Sequence, residues 1–271
     1  MLLRSKLFLS SGVLFILLSS LLVVVVEADS TMWTRTYGGE DGDSAFSLVT
    51  TPDGGYAVTG YTDSFGSGYY DAWLVKIDAS GNMEWNKTYE EGSFYSSLVE
   101  TSDGGYALAG VKYSSGAGTD GFLIKTDESG KIEWNQTYGG TEDDGVCSLF
   151  VTSDKGYVMA GSTESFGAEN DDFWLIKTDE CGIIQWNQTY VEPRMDSAQS
   201  LVKASDGGYV IAGYTLIPGP SMSMKYGDIL VIKTDEYCVV PEFSAWMIPP
   251  LLAIATLAAI IYKRKLFNYS P

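Results

Sequence analysis

Histidine is absent from all 271 residues. That removes the commonest general base, every nucleophile triad built on imidazole, and His-ligated zinc, so acid–base work would fall to serine and carboxylates. Cysteine is scarce: Cys147, Cys181 and Cys238 fall at no metal-ligand spacing, and their odd number leaves at least one thiol unpaired. No disulfide framework holds this fold. Cys181 and Cys238 occupy comparable turns of neighbouring repeats, where they could pair or act as small apolar fillers. Phosphate loops, dinucleotide fingerprints and EF-hand spacings are also missing; GSGYYD and GAGTDG are glycine loops inside strand-rich units.

Positive charge is sparse and confined. Setting aside Arg4, Lys6 and Glu27 near the start and Lys263, Arg264 and Lys265 near the end, residues 29–243 carry 12 cations and 34 anions, a net charge of −22. Such a surface repels nucleic acid and anionic lipid and attracts cations, and it also keeps an exposed domain soluble.

What is present begins with repetition. DGGY occurs at Asp53, Asp103 and Asp206, with DKGY at Asp154, so the copies are spaced by 50, 51 and 52 residues. Gly60, Gly110, Gly161 and Gly213 keep step, as do Lys76-Ile77-Asp78, Lys125-Thr126-Asp127, Lys177-Thr178-Asp179 and Lys233-Thr234-Asp235. Within the first copy SAFSLVTT, GYAVTGYT, AWLVKID and NMEWNKTY read as four strands, rich in β-branched and aromatic residues and separated by Gly-bearing turns. The third strand is apolar on both faces, so both are covered. A four-stranded meander covered on both sides and repeated at about 50 residues predicts the blade of a β-propeller.

The phrase of the fourth strand recurs as MEWNKTY, IEWNQTY and IQWNQTY, but the fourth copy stops at ILVIKTDEYC. TMWTRTY, at Thr31–Tyr37, stands alone before the first copy. The sequence therefore predicts an all-β, four-bladed propeller over 29–238 that is closed by this N-terminal strand lying beside the third strand of the last blade. A stacked solenoid could use the same repeats without needing the displaced strand.

The ends read as targeting segments. Arg4 and Lys6 precede an apolar run from Leu7 to Val26, and Val26-Glu27-Ala28 suits small-residue cleavage, giving a signal peptide over 1–28; an uncleaved anchor is the alternative. A linker at 239–243 leads to Ser244–Tyr262, 19 mostly apolar residues and about 28 Å as a helix. The cations at 263–265 place the basic tail 263–271 in the cytoplasm and the repeats outside.

Pro241-Glu242-Phe243, the apolar span and the basic cluster together resemble the tripartite sorting signals of archaeal surface proteins processed by an archaeosortase. That resemblance implies a sorting enzyme as partner and a final lipid anchor; the residues alone equally describe a permanent single-pass helix. The repeats are similar to a widespread set of archaeal and bacterial surface propellers with units of the form WxKTYGG, SLxxTxDGGYxxAG and DxWLIKTDxxG. That family implies display or binding.

Chemistry has few places to sit. In such a meander the connections between second and third strands share one face with those between blades, and these loops vary most: YTDSFGSGYYD, VKYSSGAGTD, STESFGAENDD and YTLIPGPSMSMKYGD. Asp43, Asp144 and Asp196, with Ser93 in the second copy, precede the first strands; Asp71, Asp120, Asp172 and Asp228 open the third. The first row is a candidate oxygen-ligand site for a hard cation such as Ca²⁺, and ordinary turn hydrogen bonding explains both rows as well. The sequons at Asn86, Asn135 and Asn187 recur on the fourth, outermost strand as candidate glycosylation sites, whereas Asn268 falls on the cytoplasmic side. The function expected is a non-catalytic binding or adhesion module at the cell surface, with glycans or surface-layer proteins as partners. A carboxylate-dependent glycan hydrolase or lyase and a purely structural envelope component are the alternatives.

Overall fold

The computed structural model describes residues 32–66, 70–89, 93–113, 118–167, 171–190, 195–217 and 226–235. The leader 1–28, the linker, the span 244–262, the basic tail and Cys238 lie outside these. Fifteen strands occur among the described residues: β1 (Asp43–Thr50), β2 (Tyr56–Thr62), β3 (Asp71–Ile77), β4 (Met83–Tyr89), β5 (Ser93–Glu100), β6 (Tyr106–Tyr113), β7 (Thr119–Thr126), β8 (Ile132–Tyr138), β9 (Asp144–Val151), β10 (Tyr157–Thr163), β11 (Asp172–Thr178), β12 (Ile184–Tyr190), β13 (Met195–Lys203), β14 (Tyr209–Ile217) and β15 (Tyr226–Lys233). They form four antiparallel meanders, β1–β4, β5–β8, β9–β12 and the three-stranded β13–β15. None of the described segments is helical.

Local chemistry accounts for the meander. The turn after the first strand needs a left-handed residue, which Gly54, Gly104 and Gly207 supply with φ of 82°, 84° and 95°. In the third copy Lys155 takes that place at φ 65°. Each first strand carries a bulge, at Phe46, Ser96, Cys147 and Gln199. The bulge pushes the strand's carbonyl toward its neighbour, so a Cβ added to Gly60, Gly161 or Gly213 would overlap the backbone oxygen of Ser44, Gly145 or Ser197. That close approach is the reason for the glycine shared by the copies.

The sheets pack face to face in sequence, with first strands innermost: β1 lies against β5, β5 against β9, and β9 against β13. Three apolar layers result. Ala57, Ala72 and Leu74 of the first blade meet Leu98, Leu108, Phe122 and Ile124 of the second. Ala107, Ala109 and Leu123 then meet Leu149, Met159, Trp174 and Ile176, and Val158, Ala160, Phe173 and Leu175 meet Leu201 and Ile211. One hydrogen bond is repeated in all three: Leu98 N donates to Ser47 Oγ at 3.2 Å, Leu149 N to Ser97 Oγ at 3.1 Å, and Leu201 N to Ser148 Oγ at 3.2 Å. This is a propeller-like array of blades.

Among the described residues, the outer faces of the first and fourth blades do not cover each other. Leu48 occupies the place of Leu98, Leu149 and Leu201, yet it is 59% exposed where they are 3%, 6% and 6%. At the other end of the array Val202 is 56% exposed, Val231 57% and Ile229 84%. Residues 32–40 join no strand of β15; they lie instead on the first blade. None of the apolar layers among the described residues joins the fourth blade to the first.

Candidate functional site

Registers place both acidic rows on a single rung of each sheet. Asp43 pairs with Thr62 and Thr62 with Asp71; Asp144 pairs with Thr163 and Thr163 with Asp172; Asp196 pairs with Thr215 and Thr215 with Asp228. A threonine therefore stands between two aspartates at the variable-loop end of three blades.

The first member of the rung ties down the loops. Asp43 Oδ1 accepts from the Thr62 hydroxyl, while Oδ2 accepts from Ser64 Oγ at 2.8 Å and from Gly39 N at 2.9 Å. Asp144 repeats this with Thr163, with Ser165 Oγ at 2.7 Å and with Gly140 N at 2.8 Å. Burial works to raise the Asp43 pKa, but the donations from Thr62, Gly39 and Ser64 outweigh it and hold the carboxyl below its ordinary range. Asp196 is fully buried, and neither of its oxygens meets a donor. The structure thus distributes Asp43, Asp144 and Asp196 among three blades, and no group of three metal-ligating side chains forms among the described residues. Asp71, Asp120, Asp144, Asp172 and Asp196 are buried, so none of them presents a carboxylate to a substrate in solution. Burial also pushes the Cys147 thiol up, away from nucleophilic character.

The second blade breaks the rung. Its register pairs Ser93 with Lys112 and Lys112 with Asp120, so aspartate and threonine are replaced together. The Lys112 ammonium lies 5.4 Å from the centre of the Phe122 ring. At the same junction five aromatic rings meet, a feature that sequence reading missed. Tyr61 packs 4.9 Å from Tyr70, edge to face, and 5.8 Å from Phe46. Phe94 lies 6.2 Å from Tyr61, 5.6 Å from Tyr70 and 5.7 Å from Tyr113. Phe46, Tyr70 and Tyr113 are exposed. The signal was in the sequence as aromatics at Phe94 and Tyr113 where the third copy has Gly145 and Glu164, but it becomes a patch only when two blades pack.

Asn86, Asn135 and Asn187 lie on β4, β8 and β12, the outer strands, and all three are exposed. Asn86 Oδ1 accepts from the Trp73 indole at 3.2 Å. Cys181 is exposed and unpaired.

No family model and no curated protein matches the chain. Among solved structures, a Bacteroides caccae protein of unknown function is similar at 12% identity and a TM-score of 0.42, over 70% of this chain and 62% of its own. A proposed exo-β-1,3-galactanase from Bifidobacterium bifidum is similar at 13% identity and a TM-score of 0.44, over 69% and 66%. The chain thus spans less than two thirds of the length of either.

Proposed function

We propose that this protein is a non-catalytic binding module displayed on the outer surface of a cell, with its blades outside and an apolar span or lipid holding it to the membrane. The four sheets are blades of a β-propeller, and the strand at 31–37 supplies the fourth strand of a last blade. A cleaved leader, the span 244–262 with its basic flank, and glycans on the outer strands belong to the same reading; a sorting enzyme acting at Pro241-Glu242-Phe243 is its variant.

The aromatic patch carries the binding part of this proposal. Asp144 and Asp172 of the third blade and Asp196 of the fourth are buried at the variable-loop end, whereas the first and second blades present Phe46, Tyr70 and Tyr113 to solvent there. Flat aromatic faces next to polar groups suit the apolar faces and hydroxyls of sugars, and they offer large contact area at little conformational cost. Glycans at the cell surface are the ligand class proposed. The burial of Asp71, Asp120, Asp144, Asp172 and Asp196 supports binding rather than hydrolysis.

A glycan array probed with the full chain tests this. Tyr70→Ala with Tyr113→Ala should abolish binding to every hit at an unchanged melting temperature. Binding that survives the double variant, or release of cleaved sugar from a hit, would overturn the reading. Protease added to intact cells should release the blades while a tag after Pro271 stays protected or has been removed; a tag accessible from outside would overturn the orientation.

A further inference from the structure

We propose that the chain pairs head to tail with a second copy of itself, the free face of each first blade seating against the free face of the partner's fourth blade, so that two chains close an eight-bladed ring. This rests on the reading that the strand at 31–37 completes a fourth blade.

Both uncovered faces are halves of an interface that the chain already builds three times. On the first blade the seat is formed and partly filled. Trp33 meets Tyr56 at 6.0 Å and 64°, as Trp85 meets Tyr106 at 6.0 Å and 66° and Trp134 meets Tyr157 at 5.7 Å and 71°. Tyr37 Oη donates to Gly81 O at 2.9 Å, as Tyr89 does to Gly130 O at 2.7 Å and Tyr138 to Gly182 O at 2.8 Å. Residues 32–37 therefore stand where the outer strand of a preceding blade belongs, and no other described strand packs there to supply the rest of that blade. In its place is a cleft lined by Tyr37, Ala45, Val58, Trp73 and Val75, with Leu48 exposed beside it.

The fourth blade is the counterpart. Ile229 and Val231 correspond to Ala72 and Leu74 of the first blade, which are wholly buried against the second. Val202 corresponds to Val49 and Val99, which pack into the layers that follow them. β15 has β14 on one side and no strand on the other among the described residues, the arrangement that invites pairing with another chain.

Closure within one chain would need the fourth blade to cover the first, and among the described residues it does not. A ring of whole chains contains a multiple of four blades; propellers run from about four to eight, so two copies are the remaining solution. Two-fold symmetry about the ring axis makes both seams identical and puts both C-terminal ends on one face, as a pair anchored in one membrane requires.

Register fixes the test. Leu74 pairs with Lys87, Leu123 with Gln136 and Leu175 with Gln188, which places Val231 opposite Arg35 at the seam. Directly opposed residues stand at disulfide distance. In full chain purified in detergent, with the three native cysteines changed to serine, Arg35→Cys protein mixed with Val231→Cys protein should give a cross-linked dimer on mild oxidation. As a second measurement on otherwise native protein, light scattering should report two chains, falling to one with Leu48→Glu, a site exposed in the single chain. If the mixture does not link and Arg35→Cys/Val231→Cys within one chain links as a monomer, the strand does complete the blade but in its own chain, and the second copy is overturned. A native monomer with no link in either format overturns both the second copy and the strand assignment. A dimer unmoved by Leu48→Glu and unlinked at the seam associates elsewhere and also overturns the proposal.

Discussion

Lys125 Nζ lies 2.8 Å from Asp103 Oδ2, joining the third strand of the second blade to the turn that opens its second strand. Lys76 with Asp53 at 2.7 Å, Lys177 with Asp154 at 3.1 Å and Lys233 with Asp206 at 2.8 Å repeat it. A bulge in the fourth strand also turns Glu84 and Glu133 onto Lys76 and Lys125, at 2.8 and 2.9 Å. The side chains of Lys76, Lys125 and Lys177 are buried in the sheet, that of Lys233 is partly exposed, and the carboxylates are half-exposed, so each pair clamps a hairpin at its turn.

The clamp sets an acid limit on stability. Lys76, Thr51 and the Gly55 N–H hold Asp53 far below the usual carboxylate range. Against burial, Lys125, Thr101 and Gly105 bring Asp103 down to about 2, and Thr152, then Lys177, bring Asp154 to about 2 against burial. These folded-state values are depressed, so their contribution is complete above the unfolded value near ~4 and lost as pH falls toward about 2. Glu164 and Asp171 are raised, by burial first and then by neighbouring carboxylates, so protonating them as pH falls from neutrality adds stability. Melting temperature should therefore rise slightly on mild acidification and then drop below pH ~4. An Asp103→Asn/Asp154→Asn variant should melt lower at neutral pH and show a flatter acid drop; a parallel acid drop would show that the clamps do not set it.

The groups hydrogen-bonded to the Asp43 and Asp144 carboxylates are all donors: threonine and serine hydroxyls and backbone N–H groups. Changing either to Asn turns an NH₂ toward Thr, Ser or a backbone N–H, and the loss of hydrogen bonds to a charged group should cost about 1.5–3 kcal/mol each. Chemical denaturation without calcium checks this. Mutual repulsion at an empty cation site would make the same changes stabilising, so the sign of the effect separates an organising role for these aspartates from a Ca²⁺ site at Asp43, Asp144 and Asp196.

Leucines at equivalent sequence positions should differ in cost according to their neighbours. Leu98→Ala, Leu149→Ala and Leu201→Ala each open a gap between two blades, for about 2–5 kcal/mol. Leu48→Ala, measured at a dilution where chains are separate, should cost well under ~1 kcal/mol. Equal losses at all four sites would mean that Leu48 is buried within its own chain.

Lys155 holds a left-handed conformation in which its counterparts are glycine. Lys155→Gly should gain on the order of 1 kcal/mol, because an L-residue loses roughly 1–2 kcal/mol there and glycine returns part of that in backbone entropy. Thermal melting decides it. A loss on substitution would show that the Lys155 side chain contributes more than the strain removes.

The repeat period, the strands and the turns were legible in the sequence because each rests on local chemistry: glycine at positive φ, alternation in the outer strands, and apolar residues on both faces of the third. The solvent-facing place of Asn86, Asn135 and Asn187 followed from their being on the fourth strand. Tertiary structure decided what depends on how blades meet. It placed Asp43 and Asp71 on one rung about Thr62, gathered Tyr61, Tyr70, Phe94 and Tyr113 from two copies into one patch, and left Leu48 exposed where Leu98 is buried. Strand chemistry repeats every 50 or so residues and is written in each copy. How one blade meets the next depends on packing across the interface, which no single copy records, and that packing leaves residues 32–37 on the first blade and not on β15.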